Sequence, residues 1–155
     1  MIPAARPDPA REALLRCSRE RGMRVTAQRL AIYRELLSAC DHPRPEELFR
    51  RVRATTPSLS LATVYKALDA LVDLGLVRQV PVAGDVKRFD ANLGRHHHLV
   101  CRRCRGVTDI VDRKLDQIAL TRRPRGFLVQ EVRVELLGLC SSCASGPVAR
   151  NPSRN

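Results

Sequence analysis

The stretch SLATVYKALDALVDLGLVRQVPVAGDVKRFD, residues 60–90, decides the fold. A serine at residue 60 can accept from a backbone N–H one turn on, so Ser60 caps a helix, and Gly75 stands just past its end. Leu61, Val64, Leu68 and Leu71 are spaced 3, 4 and 3, which places them on one buried stripe. Thr63, Lys66, Asp69 and Asp73 lie largely off that stripe. The period then changes. Two short runs, Leu76–Val80 and Val86–Asp90, flank a Pro/Gly turn through Gly84 and Asp85, which is a β-hairpin signal.

Upstream, the pattern is helical. Residues 11–21 read as a charged first helix stopped by Gly22. Thr26 is a good N-cap for a second, in which Leu30, Tyr33 and Leu37 recur at helical spacing. Pro43 and Pro45 open a third, with Glu46 and Glu47 in its first turn and Arg50, Arg51 and Arg53 near its end, as the helix dipole prefers. Several short helices followed by a hairpin read as a winged helix, a helix-turn-helix variant with a β-wing. This gives a DNA-binding domain over residues 11–90, preceded by a flexible lead over 1–10.

Beyond Asp90 the texture changes. Residues 91–95 read as a hinge. Leu99–Cys101 and Val107–Val111 read as short strands, Arg113–Thr121 as a short helix, and Phe127–Leu137 as a strand through its alternation. Residues 96–144 therefore form a small mixed α/β domain, and the Ser/Pro/Arg/Asn-rich tail 145–155 reads as disordered. The class is α+β.

Composition bounds the function. The chain has 155 residues, 44% of them hydrophobic but only 3% aromatic, so a small domain with a thin core benefits from a metal staple. Net charge is +12, with a pI near 10.6. Residues 1–90 carry 16 basic and 11 acidic residues, net +5, and residues 91–155 carry 12 and 5, net +7. Because the larger excess lies away from the winged helix, charge supports a nucleic-acid partner only weakly. No run approaches the roughly 20 apolar residues of a membrane span. The N-terminus lacks the apolar core of a signal peptide, so the expectation is a cytoplasmic protein with no membrane partner.

In that compartment disulfides are rare and Cys-x-x-Cys means metal or redox chemistry. Two such pairs are present, Cys101/Cys104 and, about 36 residues later, Cys140/Cys143. Together they offer four thiolates to one tetrahedral zinc, a closed and therefore structural site. Cys17 and Cys40 fall in helical patterns and read as packed thiols. Beside the first pair stand His96, His97 and His98. On a strand, His96 and His98 share one face and His97 takes the other. With His42, Asp90 and Asp109 they offer nitrogen and oxygen to a second ion, a set that suits iron or manganese better than a thiol-loving metal. A solvated histidine tract with surface aspartates is the competing reading of the same residues.

Taken together, Gly-Met-Arg-Val-Thr-Ala-Gln-Arg (22–29), His42-Pro, Leu-Ala-Thr-Val-Tyr (61–65), Arg88-Phe-Asp, His-His-His-Leu-Val-Cys-Arg-Arg-Cys (96–104) and Gly-Leu-Cys-Ser-Ser-Cys (138–143) resemble the ferric uptake regulator (Fur) family of metal-dependent bacterial repressors. The resemblance runs from about Gly22 to Cys143. It implies a homodimer on palindromic double-stranded operator DNA, with an N-terminal winged helix and a C-terminal dimerisation domain. It also implies structural Zn2+ on Cys101, Cys104, Cys140 and Cys143, and regulatory Fe2+ or Mn2+ on His42, Asp90, His96, His98 and Asp109. Thr63, Tyr65 and Lys66 fall on the recognition helix, Arg24 where a basic residue enters the minor groove, and Arg29 where a phosphate contact is expected. Family members commonly place Pro before that last arginine, where Gln28 stands here.

Iron-sensing members typically carry Glu at the positions of Asp90 and Asp109. Aspartate at both resembles the peroxide-regulator (PerR) branch. A further site of iron-type members falls on Arg95, His97, Asp116 and Val132, and Arg95 and Val132 cannot serve as ligands; His97 is then expected beside the regulatory ligands or in solvent. The implied function is repression relieved when peroxide oxidises a histidine ligand, His42 or His96, at bound iron. A repressor responding only to iron or another divalent metal is the alternative. A small metalloenzyme and a Cys-x-x-Cys oxidoreductase are further classes; the first lacks a separate base, nucleophile or pocket signal, and the second a cysteine at a reactive helix N-terminus. No enzyme activity is expected.

Overall fold

The structure, a computed structural model, describes residues 8–80, 87–118, 125–130 and 132–145. The chain divides into two compact units, Met1–Gly94 and Arg95–Asn155.

In the first unit four helices precede a two-stranded ribbon: α1 (Pro9–Glu20), α2 (Ala27–Ser38), α3 (Pro45–Arg53), α4 (Leu61–Asp73), β1 (Arg78–Val80) and β2 (Arg88–Asp90). Local chemistry sets the helix starts. Thr26 accepts from Arg29 N–H and Ser60 from Thr63 N–H, at 3.2 and 3.1 Å. At α3 the Glu47 carboxylate accepts from the Arg44 N–H at 2.9 Å. Just past the cap of α4 stands Gly75, whose φ of 69° is open to glycine at no steric cost. Strands β1 and β2 pair antiparallel, Arg78 opposite Asp90 and Val80 opposite Arg88. The loop between them, residues 81–86, lies outside the described residues, and with it the expected turn.

Helices α2, α3 and α4 pack their apolar faces on one another. Leu14, Ile32, Leu48, Val64, Leu68 and Leu71 are fully buried, with Phe89 of β2 closing the cluster. Each such side chain contributes about 1.5–3 kcal/mol by leaving water. Two expectations change in detail. Helix α1 begins at Pro9, inside the stretch expected to be flexible, because Pro is favoured in a first turn and the Asp8 carboxylate before it is held by Arg34. Leu37 is 48% exposed, since the buried face of α2 runs through Ile32, Tyr33 and Leu36 instead.

The second unit holds β3 (His97–Cys101), β4 (Val107–Ile110), α5 (Arg113–Asp116), β5 (Glu135–Gly138) and α6 (Ser141–Ala144). Strand β3 is central, antiparallel to β4 and parallel to β5. The 101–106 turn uses a positive φ of 59° at Arg105. The strand expected over Phe127–Leu137 forms only at Glu135–Gly138. Residues 127–130 and 132–134 are irregular, because alternation makes a strand only where a neighbour accepts its hydrogen bonds, and β3 meets β5 from His98–Glu135 to Cys101–Gly138. Helix α5 stops at Asp116, short of the expected Thr121, which lies outside the described residues. Among the described residues no helix is long and apolar enough to cross a membrane.

Candidate metal centres and recognition helix

The four cysteines of the pairs converge. Cys101 ends β3, Cys104 lies in the turn after it, and Cys140 and Cys143 bracket the start of α6 just beyond β5. The parallel register sets Cys101 opposite Gly138, and Arg102 N–H donates to Gly138 O at 2.8 Å, so the two pairs are brought together by strand pairing. All four sulfurs lie within 4.8 Å of one another, and Cys104 Sγ is 3.8 Å from Cys140 Sγ. Two thiolates about 2.3 Å from one tetrahedral ion sit about 3.8 Å apart, so the spacing fits zinc.

The thiols are chemically unequal. The backbone N–H groups of Cys104 and Cys140 point at Cys101 and bring its pKa down to about 6. Hydrogen bonding from Cys140 first, then burial and the other two sulfurs, pushes Cys143 up to about 12. Four thiolates crowded together repel one another, and a divalent cation between them would offset that repulsion. Cys140 stands at the N-cap of α6, a one-turn helix, where a turn or strand end was expected. Of the other two cysteines, Cys17 packs against the core of the first unit, whereas Cys40 is exposed beyond the end of α2 rather than packed.

The nitrogen and oxygen donors are best taken unit by unit. In the second unit His96 precedes β3 and His98 lies on it, with Asp109 opposite His98 on β4. His96 Nε2 is 3.1 Å from His98 Nε2 and 3.3 Å from Asp109 Oδ1, and His98 Nε2 is 3.7 Å from the same oxygen. Donors about 2.1 Å from one ion at right angles sit about 3 Å apart, so these three atoms fit around a single divalent metal. In the first unit His42 and Asp90 meet, Nδ1 to Oδ1 at 3.7 Å, both side chains under 5% exposed. Arg78 Nε binds Asp90 Oδ2 at 2.9 Å and Asn92 N–H binds Oδ1 at 2.7 Å, so the carboxylate is fixed in orientation.

His97 takes the opposite face of β3 but is not solvated. Its side chain is fully buried, Nδ1 accepts from Val134 N–H at 3.3 Å, and Nε2 lies 3.2 Å from Asp116 Oδ1, at ion-pair distance without hydrogen-bond alignment. The accepted N–H places the ring proton on Nε2. Arg95 Nε reaches the same Asp116 oxygen at 3.1 Å, so a guanidinium supplies positive charge to a carboxylate already facing a histidine.

On α4, Lys66 is exposed and Thr63 half-buried, its hydroxyl 2.7 Å from that of Ser60. The Tyr65 hydroxyl donates to Glu46 Oε1 of α3 at 2.6 Å. That bond lowers the Glu46 pKa and raises that of Tyr65. Arg24 is exposed, and its carbonyl accepts from the Arg29 guanidinium. Arg29 is therefore turned back onto the segment before α2. Sequence reasoning placed Glu46 only in the first turn of α3 and gave Arg78 no role; their partners, Tyr65 and Asp90, are separated from them by 19 and 12 positions.

A sequence model of the ferric uptake regulator family matches residues 20–137. The peroxide-responsive repressor PerR of Staphylococcus epidermidis is 33% identical over 126 residues, covering 81% of this chain and 84% of that protein. Among solved structures, the peroxide stress regulator of Campylobacter jejuni aligns with a TM-score of 0.60 at 29% identity, covering 86% of this chain and 95% of that one. The Helicobacter pylori ferric uptake regulator, described with three functional metal-binding sites, aligns with a TM-score of 0.70 over 94% of this chain and 100% of its own; at 18% identity it speaks for the fold.

Proposed function

The chain belongs to the ferric uptake regulator family of metal-responsive repressors, and from that premise we propose that it is a peroxide sensor that represses transcription as a metal-loaded homodimer on palindromic operator DNA. In this reading residues 11–90 bind DNA, 91–95 form the hinge and 96–144 dimerise. The recognition helix is α4, presenting Thr63, Tyr65 and Lys66, with Arg24 reaching the minor groove. Arg29 shapes the segment that carries Arg24 and lies near phosphate. Cys101, Cys104, Cys140 and Cys143 hold structural zinc. His42, Asp90, His96, His98 and Asp109 hold the regulatory ion.

The observation that carries the regulatory site is the triad of donor atoms on His96, His98 and Asp109, packed at 3.1–3.7 Å in a small unit that holds a separate thiol cluster. Imidazole and carboxylate donors favour iron or manganese, while the four sulfurs favour zinc, so one chain sorts two metals by ligand chemistry. His42 and Asp90 belong to the first unit and the triad to the second. Donors from both on one ion would make metal affinity and DNA affinity depend on each other, by typically 1–3 kcal/mol. The exposed leucines of β5 supply apolar surface for a second copy, and two copies match two half-sites of a palindrome.

Ferrous iron held by these residues would supply redox catalysis of peroxide cleavage, with peroxide itself the net two-electron oxidant. The receiving residues are His42 and His96: an imidazole C–H gains one oxygen, and the other peroxide oxygen leaves as water. An oxidised imidazole is a poor ligand, so the ion is lost and repression ends. With manganese in place of iron the imidazoles stay intact.

The test loads the zinc-containing protein with ferrous iron or with manganese and adds equimolar peroxide. Binding is followed on duplexes selected from a random pool by the manganese-loaded protein, and peptide masses are read in parallel. Loss of binding with iron alone, with one added oxygen on a His42 or His96 peptide, is the expected result. Retained binding with unchanged histidine masses would leave a repressor that responds reversibly to metal alone.

A further inference from the structure

We propose that Arg88 is a positioning residue for the regulatory metal, holding the backbone of His42 so that its imidazole meets Asp90. This rests on the reading of His42 and Asp90 as ligands. Arg88 is 5% exposed, an uncommon place for a guanidinium. Its Nη1 donates to His42 O at 2.7 Å and reaches Asp41 O at 3.3 Å, in a loop 46 residues earlier in the chain. The nearest carboxylate oxygen of Glu47 stands 3.8 Å from the same nitrogen, which moderates the cost of a buried charge.

The loop needs such a grip. His42 has a φ of 46°, in the left-handed region that a side-chain-bearing residue enters at a cost. Proline follows at 43, so the next backbone unit has no N–H with which to anchor the turn. An external hydrogen bond to the His42 carbonyl is what fixes the peptide plane, and Arg88 provides it.

The strand period completes the device. Side chains two residues apart point to one side of a strand, and the residue between them points to the other. On β2, Phe89 enters the apolar core at 3% exposure, while Arg88 and Asp90 both address His42, one at its carbonyl and one at its ring. One short strand thus sets both the backbone and the imidazole of a single residue. A surface-type role for Arg88 is excluded by its burial. A role confined to satisfying carbonyls leaves unexplained why the same face of the same strand carries Asp90.

The test titrates manganese alone into the zinc-containing full chain and reads free manganese by electron paramagnetic resonance. Arg88→Lys keeps the charge but loses the rigid, planar guanidinium whose Nη1 meets both carbonyls, and Arg88→Met removes charge and donors together. The expected result is a manganese Kd weakened about 10- to 100-fold, the usual effect of removing a group that orients a ligand. Zinc content stays at one per chain in both variants. Arg88→Lys is the variant relied on if Arg88→Met fails to fold. A double-mutant cycle separates positioning from general support. In a His42→Ala background, Arg88→Lys should cause no further loss of manganese affinity. An equal loss with and without His42, or an unchanged Kd in Arg88→Lys, would overturn the proposal. Absence of any manganese uptake by the unaltered protein would instead remove the ligand reading itself.

Discussion

The first unit buries mainly apolar side chains, leucines above all; among described residues the second buries three histidines and a cysteine beside only two valines. Among described residues the first unit has an apolar cluster built from four helices and β2, with Leu14, Ile32, Leu48, Val64, Leu68 and Leu71 at zero exposure. In the second, the buried side chains are His96, His97, His98, Val100, Cys101 and Val107, while Leu137, Leu139, Phe127 and Leu128 are more than half exposed. The physical consequence is a division of labour. The helical unit has an apolar core of its own, held by the hydrophobic effect. Among described residues the sheet unit buries little apolar surface, so in the proposed function metal–ligand bonds and a partner over its leucines would supply what its core lacks. A unit whose folding depends on ligands is one whose structure reports on them.

The largest expected effect breaks the comparison at the thiol cluster. Cys104→Ser should abolish zinc retention and unfold the second unit, since structural zinc is worth on the order of 10–16 kcal/mol of apparent folding energy in small peptides. The first unit should keep its helical circular dichroism and its own cooperative melt. Metal content by mass spectrometry and calorimetry check both halves. Collapse of both units together would mean that the helical core is not self-sufficient.

A middle-sized effect sharpens the contrast with one residue type in two settings. Leu68→Ala empties a fully buried site and should cost about 2–5 kcal/mol of stability in the first unit, read by denaturant unfolding. Leu137, 53% exposed on β5, should cost under about 1 kcal/mol of monomer stability when changed to alanine. Its loss should appear instead as weaker self-association in sedimentation. Equal destabilisation at both leucines would erase the distinction between a core and a covering surface.

How much of this was legible in the sequence follows the same line. The helical unit was readable because its determinants are local: Ser60 and Thr26 cap the helices that follow them, and the Val64–Leu68–Leu71 spacing marks the buried face. The thiol cluster was readable because two Cys-x-x-Cys pairs have few other uses. The strand over Phe127–Leu137 was overextended because its extent is decided by β3, thirty-odd residues away, and alternation carries no record of where a neighbour ends. Arg88, Arg78 and Arg95 were least legible. In a chain with 28 Lys and Arg, nothing local separates an arginine that grips a carbonyl or an aspartate from one in solvent. The grip of Arg88 on His42 spans 46 positions. His97 was placed on the correct face by strand period, yet its burial depends on Asp116 and Val134, which no spacing rule connects to it.

The smallest effect lies where the helical unit wears its polar contacts outside. Tyr65 and Glu46 share one hydrogen bond at the surface between α4 and α3, and such bonds add little to stability. Glu46→Gln keeps an acceptor and removes the charge, whereas Tyr65→Phe removes the donor; both should leave stability within roughly 0.5 kcal/mol. The sign with pH is nevertheless fixed. The Tyr65 hydroxyl lowers the Glu46 pKa, so this small contribution is present above the ordinary glutamate range and fades as pH falls through the lowered value. Glu46 in turn raises the Tyr65 pKa, so the same bond persists below the ordinary phenol range and is lost as pH rises through the raised value. Carboxyl and ring resonances followed by NMR across both limits should show Glu46 titrating at higher pH in Tyr65→Phe than in the unaltered protein. A Glu46 titration unchanged by removing the hydroxyl would mean the bond is not formed in solution. Tyr65 would then be free to face DNA without first leaving a partner.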